Sequence, residues 1–392
     1  MNNLLQLKTT LKDKIKSRFP NLVTNIYLFC LAFYIFSTFI KNTSMQNNLI
    51  NQRTIYLLAV IPSFFVMVKI FIFDDNSLEN LMFFLLLECL LFITGRNAAN
   101  FNVFYYGIFI YGAKNVDFNK ILKVFIVVVV SGILLSIFLV FLHIIPNIKI
   151  IRSPYDPVTR YALGANYPSD FAARGFSLLL AYAVLKKFNL NLPEYIAYIA
   201  IILWFYILTD TRLDLVLMIL LFLTLLFFKK IKIIFTKNIL NANRLTILMY
   251  LYIGIILFLG YAFSFAPHNP ILKIINKLLS GRLTYEAFTI KNYHILMGGQ
   301  FIFQPGGGKF YIDSVFFRTL WMYGLPLFII LLFLIWSLNK KFMINKTYYL
   351  VICFALFILG GGIDQHFWNI SYNFTLLALF ANLERRKYLA CN

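Results

Sequence analysis

Val124-Phe125-Ile126-Val127-Val128-Val129-Val130-Ser131-Gly132-Ile133-Leu134-Leu135-Ser136-Ile137-Phe138-Leu139-Val140-Phe141-Leu142 is a run of 19 residues without a charged side chain. A helix needs about 20 apolar residues to cross the roughly 30 Å hydrocarbon core of a bilayer. Lipid offers no partner to a backbone N–H or C=O, so a spanning segment is either a helix or one strand of a closed barrel. This run is apolar throughout and does not alternate at period two, which excludes the barrel strand. Similar runs lie on both sides of it. The sequence therefore predicts an all-α, polytopic integral membrane protein with about twelve transmembrane helices. They are expected near 22–40, 55–73, 78–95, 99–113, 121–145, 169–185, 192–209, 212–228, 245–264, 314–337, 347–361 and 367–383.

Composition agrees. Of 392 residues, 61% are hydrophobic, and the mean hydropathy is +0.78, more apolar surface than a soluble domain can hide from water. The net charge of +21 raises the question of nucleic acid, but its placement answers it. Lys114, Lys120 and Lys123, then Lys186 and Lys187, Lys229 to Arg244, Lys340 to Lys346, and Arg385 to Lys387 fall on alternate short loops. That is the pattern of the positive-inside rule, and it assigns these loops and both termini to the cytoplasm. Leu22 to Ile40 is long enough to span and has no small-residue cleavage site after it, so no cleavable signal peptide is expected. Cys30, Cys89 and Cys353 lie in apolar spans and Cys391 in the basic tail, so no disulfide framework is expected. The whole chain, 1–392, reads as one membrane domain. It has a basic cytoplasmic N-terminus at 1–21, outer loops at 146–168 and 265–313, and a cytoplasmic tail at 384–392.

The two outer loops exceed what a connection needs, and long loops of that kind usually carry function. Their Pro, Gly, Tyr and Arg mixed with apolar residues read as ordered chain. Arginines gather on the outer side: Arg152 and Arg160, Arg174, Arg212, Arg282 and Arg318. A guanidinium matches phosphate oxygens with a planar fork of donors, so several around one cavity would bind a diphosphate. The plainer account pairs each with a local acid, Arg174 with Asp170 and Arg212 with Asp210 or Asp214. Asp313 stands where the chain re-enters the membrane, as a helix N-cap or as a general base. His268 and His294 lie in the large loop. Glu88 is an intramembrane acid, Asp74-Asp75 reads as solvated on the cytoplasmic side, and Pro305 to Lys309 reads as a turn rather than a phosphate loop. No His, Cys, Asp or Glu cluster has metal-ligand spacing, so neither metal nor cofactor is expected.

Ser280-Gly281-Arg282, then Asp313-Ser314 with Gly324 eleven positions after the aspartate, resemble the Wzy-type polysaccharide polymerases of the O-antigen ligase and polymerase superfamily. Arg160-Tyr161-Ala162-Leu163-Gly164 with Asn166-Tyr167-Pro168, and Thr211-Arg212 between two spans, are similar to two further stretches of those polymerases. The likeness covers about 150–340. Departures are Asp313 where ligases carry His, and Ser314 where Asn is customary.

The resemblance implies a GT-C-like membrane fold with a large extracytoplasmic loop between helices 9 and 10. It also implies a metal-independent glycosyltransferase that joins undecaprenyl-diphosphate-linked oligosaccharide repeat units into capsular polysaccharide or exopolysaccharide. On this reading Arg160, Arg212, Arg282, Arg174 and Arg318 bind the donor diphosphate, and Asp313 is the base with His294 in reserve. The partners would be the lipid-linked glycan, the bilayer and a chain-length regulator, with no nucleic acid. Two other readings stay open: a flippase for lipid-linked oligosaccharide, and a ligase-like glycan transferase.

Overall fold

The computed structural model describes residues 17–153, 156–305 and 310–383. In chain order the helices are α1 (Leu22–Lys41), α2 (Gln52–Val68, continued by a π-helical turn Lys69–Phe73), α3 (Leu78–Asn97), α4 (Asn102–Gly112) and α5 (Phe118–Phe141). After the hairpin β1 (Lys149–Ser153) and β2 (Asp156–Tyr161) come α6 (Pro168–Leu185), α7 (Leu192–Thr209), α8 (Arg212–Leu226), α9 (Phe228–Thr236) and α10 (Ala242–Phe265). The remainder is α11 (Pro270–Leu278), α12 (Arg282–Asn292), α13 (Leu325–Ile344) and α14 (Tyr348–Gly361).

Among the described residues, seven helices are long and apolar enough to cross a membrane: α1, α2 with its π-helical turn, α3, α5, α7, α10 and α13. Only 22–50% of each spanning window is buried in protein. On α5, Val127, Leu134, Phe138 and Phe141 stand 55–77% exposed. Water would not tolerate so much apolar surface; hydrocarbon does. The chain is a helical membrane protein.

Other expected spans take different forms. The fourth, eighth and eleventh are helices of 11, 15 and 14 residues, α4, α8 and α14. The tenth starts at Leu325 rather than 314, because Gly324 (φ 92°) breaks the chain between a π-helical turn, Arg318–Tyr323, and α13. The twelfth, 367–383, is not one continuous helix but buried chain with short 3-10 turns, His366–Trp368 and Thr375–Leu379. Asn369 accepts from the amide and hydroxyl of Ser371, and Asn373 does the same for Thr375. Such local bonds give the backbone an alternative to the helical ladder.

Where the sequence reading took one membrane domain, packing forms two compact units. Of the described residues, the first holds 17–87, 105–153, 156–218 and 376–383, and the second 88–104, 219–305 and 310–375. In the first, α1 packs on α2 and α5, α5 on α6, α6 on α7, and β2 on α7. In the second, α10 packs on α12, α13 and α14, and α14 on α13 and α9.

Within each unit, contacts tie together segments that are far apart in the sequence. In the first unit Thr43 bridges Ala165, while Lys69 Nζ donates to the Lys114 carbonyl and Asp117 bridges Asn382. In the second, Asn97 donates to the Gly298 carbonyl, and Phe235 stacks on Tyr348. Asp74, expected to be solvated, is 3% exposed and lies 2.7 Å from Lys69 Nζ. A buried carboxylate needs such a partner.

Candidate active site

Two turns and one backbone crossing build the site in the second unit. Asn269 caps α11 by accepting from the amides of Ile271 and Leu272. The helix ends where Ser280 (φ 56°) and Gly281 (φ 84°) turn left-handed. Gly281 N–H bonds the Asn276 carbonyl and Ser280 N–H that of Lys277, a Schellman closure. Gly281 is then the N-cap of α12, whose first residue is Arg282. The Ser-Gly-Arg stretch is thus a helix stop, a reversal and a helix start. Leu283 and Ala287 bury against Phe263 of α10, which fixes the helix that carries Arg282.

The crossing brings the loop after α12 back to the start of α13. Gln300 N–H donates to the Met322 carbonyl at 2.8 Å and Leu325 N–H to the Leu296 carbonyl at 3.2 Å. A Cβ on Gly324 would stand 2.5 Å from the Leu296 oxygen, and one on Gly299 2.4 Å from the Met322 oxygen. Glycine is required at both because two backbones touch there.

Asp313 lies just before this crossing, with its Oδ2 3.0 Å from Arg282 Nε; the two side chains are 29% and 19% exposed. The approach lacks the alignment of a hydrogen bond to Nε–H, so it is an ion pair held by charge. The N-cap of the short helical turn Val315–Phe317 is Ser314 rather than Asp313, and the Ser314 hydroxyl is buried without a hydrogen bond among the described residues. Glu286, four residues after Arg282 on α12, is 3% exposed and its Oε2 also lacks a hydrogen bond. Burial pushes the Glu286 carboxyl up to about 8; Arg282 opposes the shift and Asp313 adds to it. Burial thus favours the neutral form of Glu286, and the ion pair of this cluster is the one between Arg282 and Asp313.

Five residues beyond Asp313, Arg318 opens the π-helical turn, a departure from α geometry that is frequent at functional sites. Its Nη1 donates to the Tyr311 hydroxyl and its Nη2 to Gln304 Oε1, both at 3.2 Å. The guanidinium carbon lies 4.9 Å from the centre of the Tyr311 ring, a cation–π distance. Tyr311 in turn donates to Gln365. Arg282 is thus paired with Asp313, while Arg318, five residues along the chain, is held by Tyr311 and Gln304.

Arg160 and Arg212 belong to the first unit. Arg160, opposite Ile150 in the hairpin, donates from Nε to the Thr209 carbonyl at 2.7 Å. Thr209 and Thr211 share a hydrogen bond at 2.8 Å, Asp210 turns left-handed (φ 43°), and exposed Arg212 begins α8. Two of the stretches singled out in the sequence therefore meet at one corner.

Arg174 does not fit the expected diphosphate set. It is 1% exposed, donates from Nη2 to the carbonyls of Phe39 and Asn42, and stacks 3.9 Å from the Phe39 ring. It closes the carbonyl end of α1, and a guanidinium so enclosed is not open to a lipid-linked substrate. His294 is exposed, and no hydrogen bond or ion pair joins its ring to Asp313 or Arg282 among the described residues. Both Glu88 oxygens are buried without a hydrogen bond among those residues. Pro305 is described, but the Gly-Gly-Gly-Lys that follows lies outside the described residues, as do Lys8 to Lys16 and the basic tail.

Sequence reading passed over Glu286, Tyr311, Gln304 and Gln365. For Glu286 a signal was present: it and Asp313 are the two acids in 265–313, and it sits one helical turn after Arg282. Among the described residues no three His, Cys, Asp or Glu side chains are grouped to hold a metal ion. The chain matches no protein-family model, no curated protein and no solved structure.

Proposed function

We propose that this chain is a membrane-embedded glycosyltransferase that polymerises polyprenyl-diphosphate-linked oligosaccharide repeat units on the outer face of the cytoplasmic membrane. The observation that carries this reading is the Arg282–Asp313 pair, 3.0 Å apart and partly exposed, with Arg318 close by in the chain. Transfer of a glycan from a diphosphate needs both a proton acceptor and a cation within reach of one substrate. The acceptor hydroxyl loses its proton to the Asp313 carboxylate as its oxygen bonds to the anomeric carbon. The bond from that carbon to the diphosphate oxygen breaks, and both electrons leave with the diphosphate. Arg282 and Arg318 meet the charge that builds there, so they stabilise the transition state more than the ground state. Arg282 also fixes the position of the Asp313 carboxylate through their ion pair. The hydroxyl of Tyr311 and the amides of Gln304 and Gln365 are of the kind that bind sugar hydroxyls. The products are a longer glycan on one carrier and a free polyprenyl diphosphate, with the proton returned to water.

The alternation of basic loops supports placing 265–313 outside and both termini in the cytoplasm. The test is the lipid-linked intermediate of a deletion strain. Single repeat units should accumulate on lipid at the outer leaflet, and purified protein should extend them in vitro. Repeat units trapped on the cytoplasmic leaflet would replace this reading with a transporter. Normal polymer that fails to reach its final acceptor would replace it with a ligase.

A further inference from the structure

We infer that α11 is a lipid-binding helix that lies in the membrane interface against anionic headgroups. The nine residues Pro-Ile-Leu-Lys-Ile-Ile-Asn-Lys-Leu divide into three arcs. Leu272 and Ile275, with Leu279 just beyond, pack against Phe263, Leu283 and Ala287. Ile271, Ile274 and Leu278 form a second apolar arc by their spacing of three and four, and are 66%, 62% and 71% exposed. Lys273 and Lys277 form the third arc, and both are exposed. One apolar face is enough to hold a helix on its protein. The second face needs a different cover.

The surface that leads up to it identifies that cover. On α10, a helix long and apolar enough to span, Phe258, Tyr261 and Phe265 are 66%, 53% and 72% exposed. Four residues separate α10 from α11, so exposed apolar side chains lie on both sides of a short connection at the end of the span. Lysines beside such an arc extend along it and place their ammonium groups among phosphates, the arrangement of helices that lie in the plane of the interface. Each basic residue near an anionic surface adds attraction that salt screens. The Ser280-Gly281 turn then hands the chain directly to α12. An α11 held at headgroup depth would therefore fix the depth of Arg282, where a lipid-linked diphosphate is presented. Lipid binding by α11 stands whether or not the polymerase reading does.

The experiment uses the full chain with Cys30, Cys89, Cys353 and Cys391 replaced, reconstituted in vesicles of phosphatidylethanolamine and phosphatidylglycerol. An environment-sensitive fluorophore is placed by Ile274→Cys, by Leu278→Cys on the same arc, and by Lys273→Cys on the lysine arc. Spin labels high on the lipid chains should quench the first two severalfold more than aqueous iodide does, and the third should show the reverse. Replacing phosphatidylglycerol with phosphatidylcholine, or introducing Lys273→Gln with Lys277→Gln, should weaken lipid quenching at Leu278→Cys. Free access of iodide to both arc positions would overturn the inference. So would protection that grows with the ratio of protein to lipid, which would mean that a second copy covers the arc.

Discussion

Nε of Arg282 lies 3.0 Å from Oδ2 of Asp313, although one begins a helix after a glycine turn and the other ends the loop that follows it. Neither is deeply buried, so the pair is not a core ion pair that folding requires. A carboxylate and a guanidinium held together at a partly exposed position remain open to a substrate that carries a hydroxyl and a diphosphate.

If Arg282 clamps a diphosphate, Arg282→Lys keeps the charge but loses the planar fork, and should be nearly as damaging as Arg282→Ala. A charge-assisted hydrogen bond is worth roughly 1.5–3 kcal/mol, so turnover should fall about ten- to a hundredfold. Asp313→Asn, which cannot accept the proton, should fall at least as far. The measurement is polymer formed from purified lipid-linked repeat, normalised to protein in the membrane. Full activity of Arg282→Lys would place the diphosphate site elsewhere.

Glu286 gives a pH dependence with a definite sign. Its folded value of about 8 lies above the ordinary 4.5, so between those values the folded chain binds a proton that the unfolded chain has lost. This stabilisation is complete below about pH 4.5 and is lost as pH rises through about 8. Glu286→Gln stays neutral and should flatten the fall in melting temperature between pH 5 and 9, in detergent. An unchanged profile would mean that the fall has another source.

Gly324→Ala should lower the amount of folded protein, because a Cβ there meets three backbone atoms at 2.5–2.8 Å and φ is 92°. Strain of this kind costs of order 1–3 kcal/mol before the clash is counted. Gly254→Ala is the control: nothing lies within 4 Å, and alanine in a helix interior should stabilise by about 0.5–1 kcal/mol. Membrane yield and thermal midpoint, measured side by side, decide the matter.

Arg174→Ala should act on stability rather than on chemistry. It would remove the guanidinium donor from the Phe39 and Asn42 carbonyls, of which Phe39 keeps the Asn42 N–H. Less protein should reach the membrane, while turnover per folded molecule should stay within about twofold of wild type, well under the 1.4 kcal/mol that a tenfold change represents. A large loss of turnover at normal yield would return Arg174 to the substrate site.

Topology can be read by labelling. In a chain without its native cysteines, Asn292→Cys in α12 should react with an impermeant maleimide in intact cells, and Asn238→Cys after α9 should not. The reverse pattern would invert the protein and move the Arg282–Asp313 pair to the cytoplasmic side.

The sequence by itself determined that this is a helical membrane protein. A long uncharged run such as Val124–Leu142 admits no other structure in lipid, because each of its backbone groups must bond within the segment. The chain's lysines and arginines also carry an expectation of which loops share a side, since basic residues resist translocation. Gly281, Arg282, Asp313 and Gly324 were singled out as a set only by the resemblance, not by the chemistry of their spacing. Tertiary structure decided what each does. Buried hydrogen bonds that Asn369 and Asn373 accept from their own neighbours kept 367–383 from forming one helix, and no apolar count could register them. Arg174 and Arg282 look alike in a list of outer arginines, yet one closes a helix end at 1% exposure and the other faces Asp313. What separates them is which carbonyls and carboxylates long-range packing brings within about 3 Å, and hydrogen bonds and ion pairs depend on that distance.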